Sequence, residues 1–346
     1  MSDRLPIAVV GLGFGRVVIE RQLLAGPGAR HFELAAVCDA DPTKARDAAE
    51  KCHVPAVPSL DRLLADPAIP VVALFTGPAG RADLVRQILR AGKHVLTTKP
   101  FELDPEAAAD VLVEAQSLGL AVHLNSPGPM LEADLSQILA WQNERDLGRL
   151  VAARSETWCS YHEQADGSWY DDPARCPTAP IFRLGVYAIN DLVRLCGAAE
   201  RVFVSHGRLR TGRPTPDNAQ AVIEFAGGAI ASVFASFCVD DGAAYRQTTV
   251  FNFERGTVTR VSAVADTIEQ VTLTLRTPRG EERVTLPAGA CSGWYHWDQL
   301  AAVIRGRGVS NPTPPEAIVA GVRILAALAR SEQTGAPAPV EPSPAC

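Results

Sequence analysis

Residues 7–24, IAVVGLGFGRVVIERQLL, restrict the fold of this chain more than any other stretch. IAVVG is a continuous apolar run rich in β-branched residues, the pattern of a strand covered on both faces in a parallel sheet. It enters a glycine turn, Gly11-Leu12-Gly13-Phe14-Gly15, after which VVIERQLL repeats apolar residues at helical spacing. Strand, glycine turn and helix in that order predict a unit whose helix N-terminus faces an anionic ligand. Gly11 suits the tight turn, and Gly13 lets a pyrophosphate approach the backbone. Arg16 replaces the third glycine of the usual fingerprint, with Gly15 beside it.

A glycine pattern alone is often a plain strand turn, so the following segments decide its meaning. HFELAAVCDADP reads as a second strand ending at Asp39, and Asp41 before Pro42 is placed to cap the next helix. A carboxylate at Asp39 would accept hydrogen bonds from both ribose hydroxyls of a dinucleotide and repel a 2′-phosphate. NAD is therefore expected rather than NADP. PVVALFTG, KHVLTTKPF and LAVHLN read as further strands, and RADLVRQILRAG and DPEAAADVLVEAQSLG as helices between them. This alternation predicts an α/β chain that begins with a doubly wound Rossmann domain over residues 1–124.

Lys99 in TTKPF lies immediately past a strand, on the edge where such sheets bind ligands. Pro100 cannot continue the ladder and holds the Lys99 backbone extended. These features make Lys99 a candidate site residue, with a solvated strand-end lysine as the plain alternative. From LGRLVAARSETW onward the texture changes to period-two runs joined by Gly-Gly or Arg-Gly turns. They predict a C-terminal α/β domain over residues 125–335 with a large, mostly antiparallel open sheet. A sheet with one covered face invites subunit pairing, so a homodimer or homotetramer through it is expected. Residues 336–346 form a proline-rich tail expected to be loose.

The net charge of −6 and the lack of a dense basic run argue against a nucleic-acid partner. No apolar run approaches the length of a membrane span, and the N-terminus reads as a strand rather than a signal peptide. The eight cysteines are widely spaced with no Cys-x-x-Cys, so no metal site is expected and a reduced, cytoplasmic setting is the default.

In PIFRLGVYAIND, Arg183 and Tyr187 stand four residues apart, on one face of a helix. Asn190 and Asp191 follow Tyr187 by three and four residues and could share that face. His162 lies in SYHEQADGSWYDD, a polar loop crowded with aromatics that suit a sugar ring or simple packing.

With these segments in place, the chain resembles the glucose–fructose oxidoreductase, inositol dehydrogenase and rhizopine-catabolism protein family (Gfo/Idh/MocA). IAVVGLGFGR, AVCDADPTKA, AGKHVLTTKPFELDPEAA, LGRLVAARSETW, SWYDDP, RLGVYAINDLVRLCG and TPPEAIVAGVRILAALARS follow the family's order. The resemblance implies hydride transfer between NAD(P) and a secondary alcohol or ketone of a sugar, polyol or sugar derivative. The family's Glu-Lys-Pro is matched by Thr98-Lys99-Pro100. Its Asp-x-Gly-x-His is matched by Arg183, Gly185 and Tyr187, with CPTAP where a glycine run often precedes. Tyrosine occurs at that position in the sugar-oxidoreductase branch, so Arg183 is the main departure. The family usually has Asp where Asn190 stands.

The resemblance implies Lys99 and Tyr187 as catalytic and Asn190 as a substrate contact; Arg183, Asp191 and His162 are further candidate substrate contacts by position, with a solvated loop histidine as the plain alternative for His162. It implies cofactor contacts at Gly11, Gly13, Phe14, Gly15, Asp39, Thr76, Pro78, Thr98, Lys99 and Asn125. In TGPAGR, Arg81 stands where the family often has histidine. A phenol ionises near pH 10 and needs a neighbouring cation to work as a base near neutrality. Tyr187 is read as the acid/base and Lys99 as the group that orients the alcohol, a division that could also be reversed. Arg183 has three readings: a clamp for a substrate anion, a tuner of Tyr187, or a structural ion pair with Asp171, Asp172 or Asp191. Two other activities remain open, a glycosidase using bound NAD in a transient internal oxidation and a catalytically silent NAD-dependent sensor.

Overall fold

The computed structural model describes residues 4–265, 268–287, 289 and 291–342, without the side chains of 263–265, 268 and 269. Five short strands form the first sheet: β1 (Leu5–Val10), β2 (Phe32–Cys38), β3 (Val71–Leu74), β4 (His94–Thr97) and β5 (Val122–Leu124). All neighbours are parallel, in the order β2-β1-β3-β4-β5. Their last residues share one row, because Val10 pairs with Cys38 and Leu74, Leu74 with Thr97, and Thr97 with Leu124.

The crossovers are helical, as parallel pairing requires. They are α1 (Phe14–Val18), which runs on as a π-helical segment Ile19–Leu24, α2 (Pro42–Cys52), α3 (Leu60–Leu64), α4 (Arg81–Arg90) and α5 (Pro105–Ser117). Asp41 caps α2 as expected, accepting from the N–H groups of Thr43 and Lys44.

The chain divides into two compact units. The first runs to Glu102, resumes over Glu106–Pro129 and takes back Tyr295–Pro315. The division is thus not a single cut near residue 124. The returning stretch carries α8, here numbered in chain order after α6 (Ala133–Glu144) and α7 (Val186–Cys196), and spans Trp297–Ile304. Trp297 is fully buried, lies edge-on to Phe32 at 5.6 Å and donates its indole N–H to Gln22 at 3.2 Å. Trp297 and the neighbouring Tyr295, whose ring lies 5.6 Å from it, therefore seal the first core.

The second unit holds Leu103–Pro105, Met130–Trp294 and the chain from Glu316 on. Its sheet has nine strands: β6 (Leu150–Trp158), β7 (Ala199–Gly207), β8 (Asn218–Phe225), β9 (Ile230–Ser236), β10 (Tyr245–Phe253), β11 (Gly256–Ala265), β12 (Ile268–Thr277), β13 (Gly280–Leu286) and β14 (Ala338–Pro339). The order is β13-β12-β11-β10-β6-β9-β8-β7-β14, antiparallel except for β6 with β9. Alternate residues face a core shared with α7 and α9 (Pro315–Thr334), among them Val233, Phe251, Ile189, Leu192 and Leu328. The expected loose tail is partly ordered: Ala338 pairs with Val202, and the Val340 N–H donates to the Glu200 carbonyl. Its last four residues lie outside the described part. No helix among the described residues is long and apolar enough to cross a membrane.

Candidate functional site

The candidate cofactor edge of the first unit follows from the shared row of strand ends. The residues that come next, Gly11, Asp39, Thr98 and Asn125, each follow the last residue of a strand, and Thr76 stands one further after β3. Parallel pairing places all of them on one edge of the sheet, where helix N-termini also begin.

Gly11 has φ +86°, and a Cβ there would stand 2.8 Å from the Phe75 backbone, so no other residue fits. Gly13 has nothing within 4 Å of where a Cβ would be. Gly15 packs so closely on Val9 and Phe75 that a Cβ would meet them at 3.0 and 3.2 Å. Gly15 therefore does the work of the missing third glycine, close helix–strand packing. Phe14 is half-exposed and lies edge-on to Phe75 at 5.8 Å. The Asp39 carboxylate accepts from the Leu12 N–H at 2.6 Å and the Asp41 N–H at 2.8 Å. Two bonds leave lone pairs on both oxygens for further donors. An open, N–H-rich turn beside a tethered carboxylate fits a dinucleotide. Gly11, Gly13 and Gly15 would hold its pyrophosphate side and Asp39 a ribose.

Thr98, Lys99 and Asn125 are brought together at the ends of β4 and β5. Buried Asn125 accepts through its side-chain oxygen from the Thr98 hydroxyl and the Lys99 N–H, both at 3.2 Å. The Lys99–Pro100 peptide bond is cis. Lys99 itself is half-buried and Pro78 buried.

Two residues fix this edge, Arg81, which the sequence singled out without a role, and Glu102, which it did not. Arg81 is 1 % exposed and donates from Nη1 to the carbonyls of Thr98 at 2.6 Å, Pro100, and Phe101 at 3.1 Å, and from Nη2 to that of Thr76. One planar guanidinium thus ties the loop after β3 to the turn carrying Lys99. Glu102, also buried, accepts from the N–H groups of Gly80 and Ala82 and so caps α4. The signal available in the sequence was Arg81 opening a helix directly at a strand-end loop.

In the second unit, Arg183 sits in a π-helical segment, Ile181–Gly185, that runs straight into α7 with Tyr187 in its first turn. Gly185 explains why this glycine stands between them: a Cβ would come 3.1 Å from Val233 of β9, so the helix can lie close on the sheet. Tyr187 is half-buried, with its ring against Gly293.

Among the described contacts, Arg183 pairs with Glu163 rather than with Asp171, Asp172 or Asp191. Its guanidinium makes a bidentate pair with Glu163, Nη1 to Oε2 at 2.7 Å and Nη2 to Oε1 at 2.6 Å. It stacks over Tyr170 at 4.0 Å and lies near Phe237 and Tyr161 at 4.6 and 5.1 Å. Burial opposes its charge, but the Glu163 bond and the surrounding phenols outweigh this and hold its pKa above the usual arginine value. Asp171 binds Arg213 at 2.5 Å instead, and Asp172 accepts from the Ala174 N–H. Tyr161 and Tyr170 thus serve as walls around a cation.

Asp191 and Asn190 point into the core rather than to an open face. Asn190 is 3 % exposed, with its side-chain oxygen 2.2 Å from where a Cβ of Gly321 would stand. Asp191 meets Arg260 of β11 at 2.7 Å, and the same Nη1 lies 2.8 Å from Asp134 of α6, all three groups being buried. A polar seam continues along the covered sheet face. Arg260 donates to Thr249, Thr249 bonds to Ser155, Gln247 donates to Ser155, and Tyr245 donates to Gln247. His162 is exposed and bonds only locally, to the Ser160 hydroxyl at 3.2 Å among its described partners.

Comparison with known proteins agrees with this architecture. Residues 5–126 match the family described as "Oxidoreductase family, NAD-binding Rossmann fold", and residues 136–259 match the GFO/IDH/MocA C-terminal domain. The oxidoreductase YdgJ of Escherichia coli is 25% identical over 237 residues, 65% of this chain and 63% of its own length. The dTDP-3,4-didehydro-2,6-dideoxy-alpha-D-glucose 3-reductase of Streptomyces violaceoruber is 34% identical over 192 residues, 55% of this chain and 54% of its own length. The chain thus spans less than two thirds of either relative. The crystal structure of GenD2 from gentamicin A biosynthesis, in complex with NAD, shares the fold with a TM-score of 0.75 at 24% identity, covering 99% of this chain and 98% of that one. With both of its characteristic domains matched in order, the chain belongs to the Gfo/Idh/MocA oxidoreductase family.

Proposed function

We propose that this protein is an NAD(P)-dependent dehydrogenase or reductase acting on a secondary alcohol or ketone of a sugar, polyol or sugar derivative. The observation that carries the reading is the row of strand ends, which sets Lys99 on the same sheet edge as the open glycine turn and Asp39. Bound nicotinamide supplies a hydride acceptor or donor. The chain's residues must then manage the proton on the substrate oxygen. Lys99, its backbone held by Asn125, orients and polarises that oxygen, and Tyr187 takes or returns the proton. Asp39 favours NAD over NADP through its free lone pairs and its charge.

Arg183 is read as structural, because Glu163 and three aromatic rings already satisfy it. Half-exposed Val151, Phe203 and Ile230 lie on the second sheet and support a homodimer or homotetramer formed through it.

The test is NADH absorbance with purified protein, NAD and a panel of sugars, polyols, uronates and sugar phosphates. Net NADH formation with one class is expected. Substrate cleavage without NADH would replace this reading with the internal redox cycle of a glycosidase, and NAD binding without any turnover with that of a sensor.

A further inference from the structure

We propose that Glu163 is a built-in occupant of an anion site formed by Arg183, and that it restricts the substrate position next to this helix to neutral groups. The inference rests on the reading above only in taking Tyr187, one helical turn on, to act on substrate. A guanidinium with a bidentate carboxylate, ringed by aromatic faces, is the arrangement by which proteins bind carboxylate ligands. Here the carboxylate comes from the chain. Glu163 belongs to no helix or strand, lying in the polar loop after β6, whereas Arg183 stands on a helix.

Two cations converge on Glu163. Its Oε2 accepts from Arg183 at 2.7 Å and lies 3.4 Å from Arg213 Nε. Arg213, only 5 % exposed, is already committed to Asp166 at 3.1 Å and Asp171 at 2.5 Å. A substrate carboxylate or phosphate entering at Arg183 would have to expel Glu163 and leave it half-buried without its main partner, which is costly. A hydroxyl or carbonyl makes no such demand. The arginine that replaces the family's aspartate is thereby neutralised, and a sequence that looks prepared for an anionic substrate is prepared for a neutral one.

The test uses the full chain and acetate as a stand-in for the Glu163 carboxylate. Glu163→Ala should melt at a lower temperature than wild type. It should regain about half the loss on adding acetate on the order of 100 mM, with ionic strength held constant by chloride. Wild type should not respond, and the double variant Glu163→Ala/Arg183→Met should lose the response. An unresponsive Glu163→Ala, or a double variant that responds equally, overturns the proposal.

The isosteric Glu163→Gln serves if the alanine variant does not fold, read by turnover. Its kcat/KM ratio for a uronate over the parent aldose should rise about tenfold relative to wild type. An unchanged ratio, or a wild type that prefers the uronate, also overturns the proposal. Absence of NADH formation with every sugar would count against the oxidoreductase reading, and the acetate response would still decide the role of Glu163.

Discussion

Asp191 and Arg260 meet at 2.7 Å inside the second unit, with Asp134 on the same guanidinium nitrogen and none of the three more than 2 % exposed. Two carboxylates share one cation, so the cluster is formally negative and survives only because Arg260 remains. Arg260→Met would leave both acids without their cation, and a loss of about 3–5 kcal/mol is expected in urea unfolding. A loss below about 1 kcal/mol would show that both acids take up protons from solvent once the cation is gone.

The same cluster sets a pH dependence. Burial pushes the carboxyls of both Asp134 and Asp191 up from their ordinary value of 3.8, against the pull of Arg260. A raised carboxyl binds its proton more tightly folded than unfolded. Its contribution to stability is complete below the unfolded value and is lost as pH rises through the folded one. Asp134→Asn should therefore soften the decline in stability above about pH 4 relative to wild type. Parallel unfolding curves for the two proteins across pH would contradict this.

The glycine turn separates folding from binding. Gly13→Ala places its methyl group in open space, so thermal stability should stay within about 0.5 kcal/mol of wild type. The same methyl group would stand where the pyrophosphate approaches, and NADH affinity by fluorescence should fall at least about tenfold. Gly11→Ala differs because its φ is +86° and its Cβ would strike the Phe75 backbone. It should lose about 1–3 kcal/mol of stability as well as binding. A Gly13→Ala protein that binds NADH normally would move the cofactor away from this turn.

What the sequence disclosed was whatever local pattern controls. The strand–turn–helix run placed Gly11 and Asp39, and Asp41 before Pro42 announced its cap, because each depends on neighbours only a few residues away. Glu163 was invisible as the partner of Arg183, since a loop carboxylate 20 residues distant follows no period. Asp134 and Arg260 are 126 residues apart and meet only because α6 packs on the sheet against β12, the strand next to β11. Helical spacing carries no mark of which of two cores it enters, so the return of Tyr295–Pro315 to the first unit went unread.

Lys99 and Tyr187 separate chemistry from binding. Tyr187→Phe removes the hydroxyl but keeps the ring against Gly293, so NADH affinity should be unchanged while kcat falls by about 10²–10⁴. Lys99→Ala should cause a comparable loss, and Lys99→Arg should recover little because guanidinium geometry differs from that of ammonium. Near-normal turnover in Tyr187→Phe would transfer the proton step to Lys99.

Asp39 carries the cofactor preference. Asp39→Asn keeps one oxygen that can still accept the Leu12 N–H now held at 2.6 Å, while its NH2 group cannot accept the Asp41 N–H, so the turn should survive at a cost of about 1–3 kcal/mol in stability. It removes the negative charge that repels a 2′-phosphate and weakens the acceptors offered to the ribose hydroxyls. A hydrogen bond to a charged group contributes about 1.5–3 kcal/mol, so the preference for NAD over NADP should fall by about 10- to 100-fold. Dissociation constants for both nucleotides, measured by fluorescence at one salt concentration, give that ratio directly. If wild type binds NADP as tightly as NAD, Asp39 is serving only the Leu12 and Asp41 backbone, and discrimination at this edge has another source.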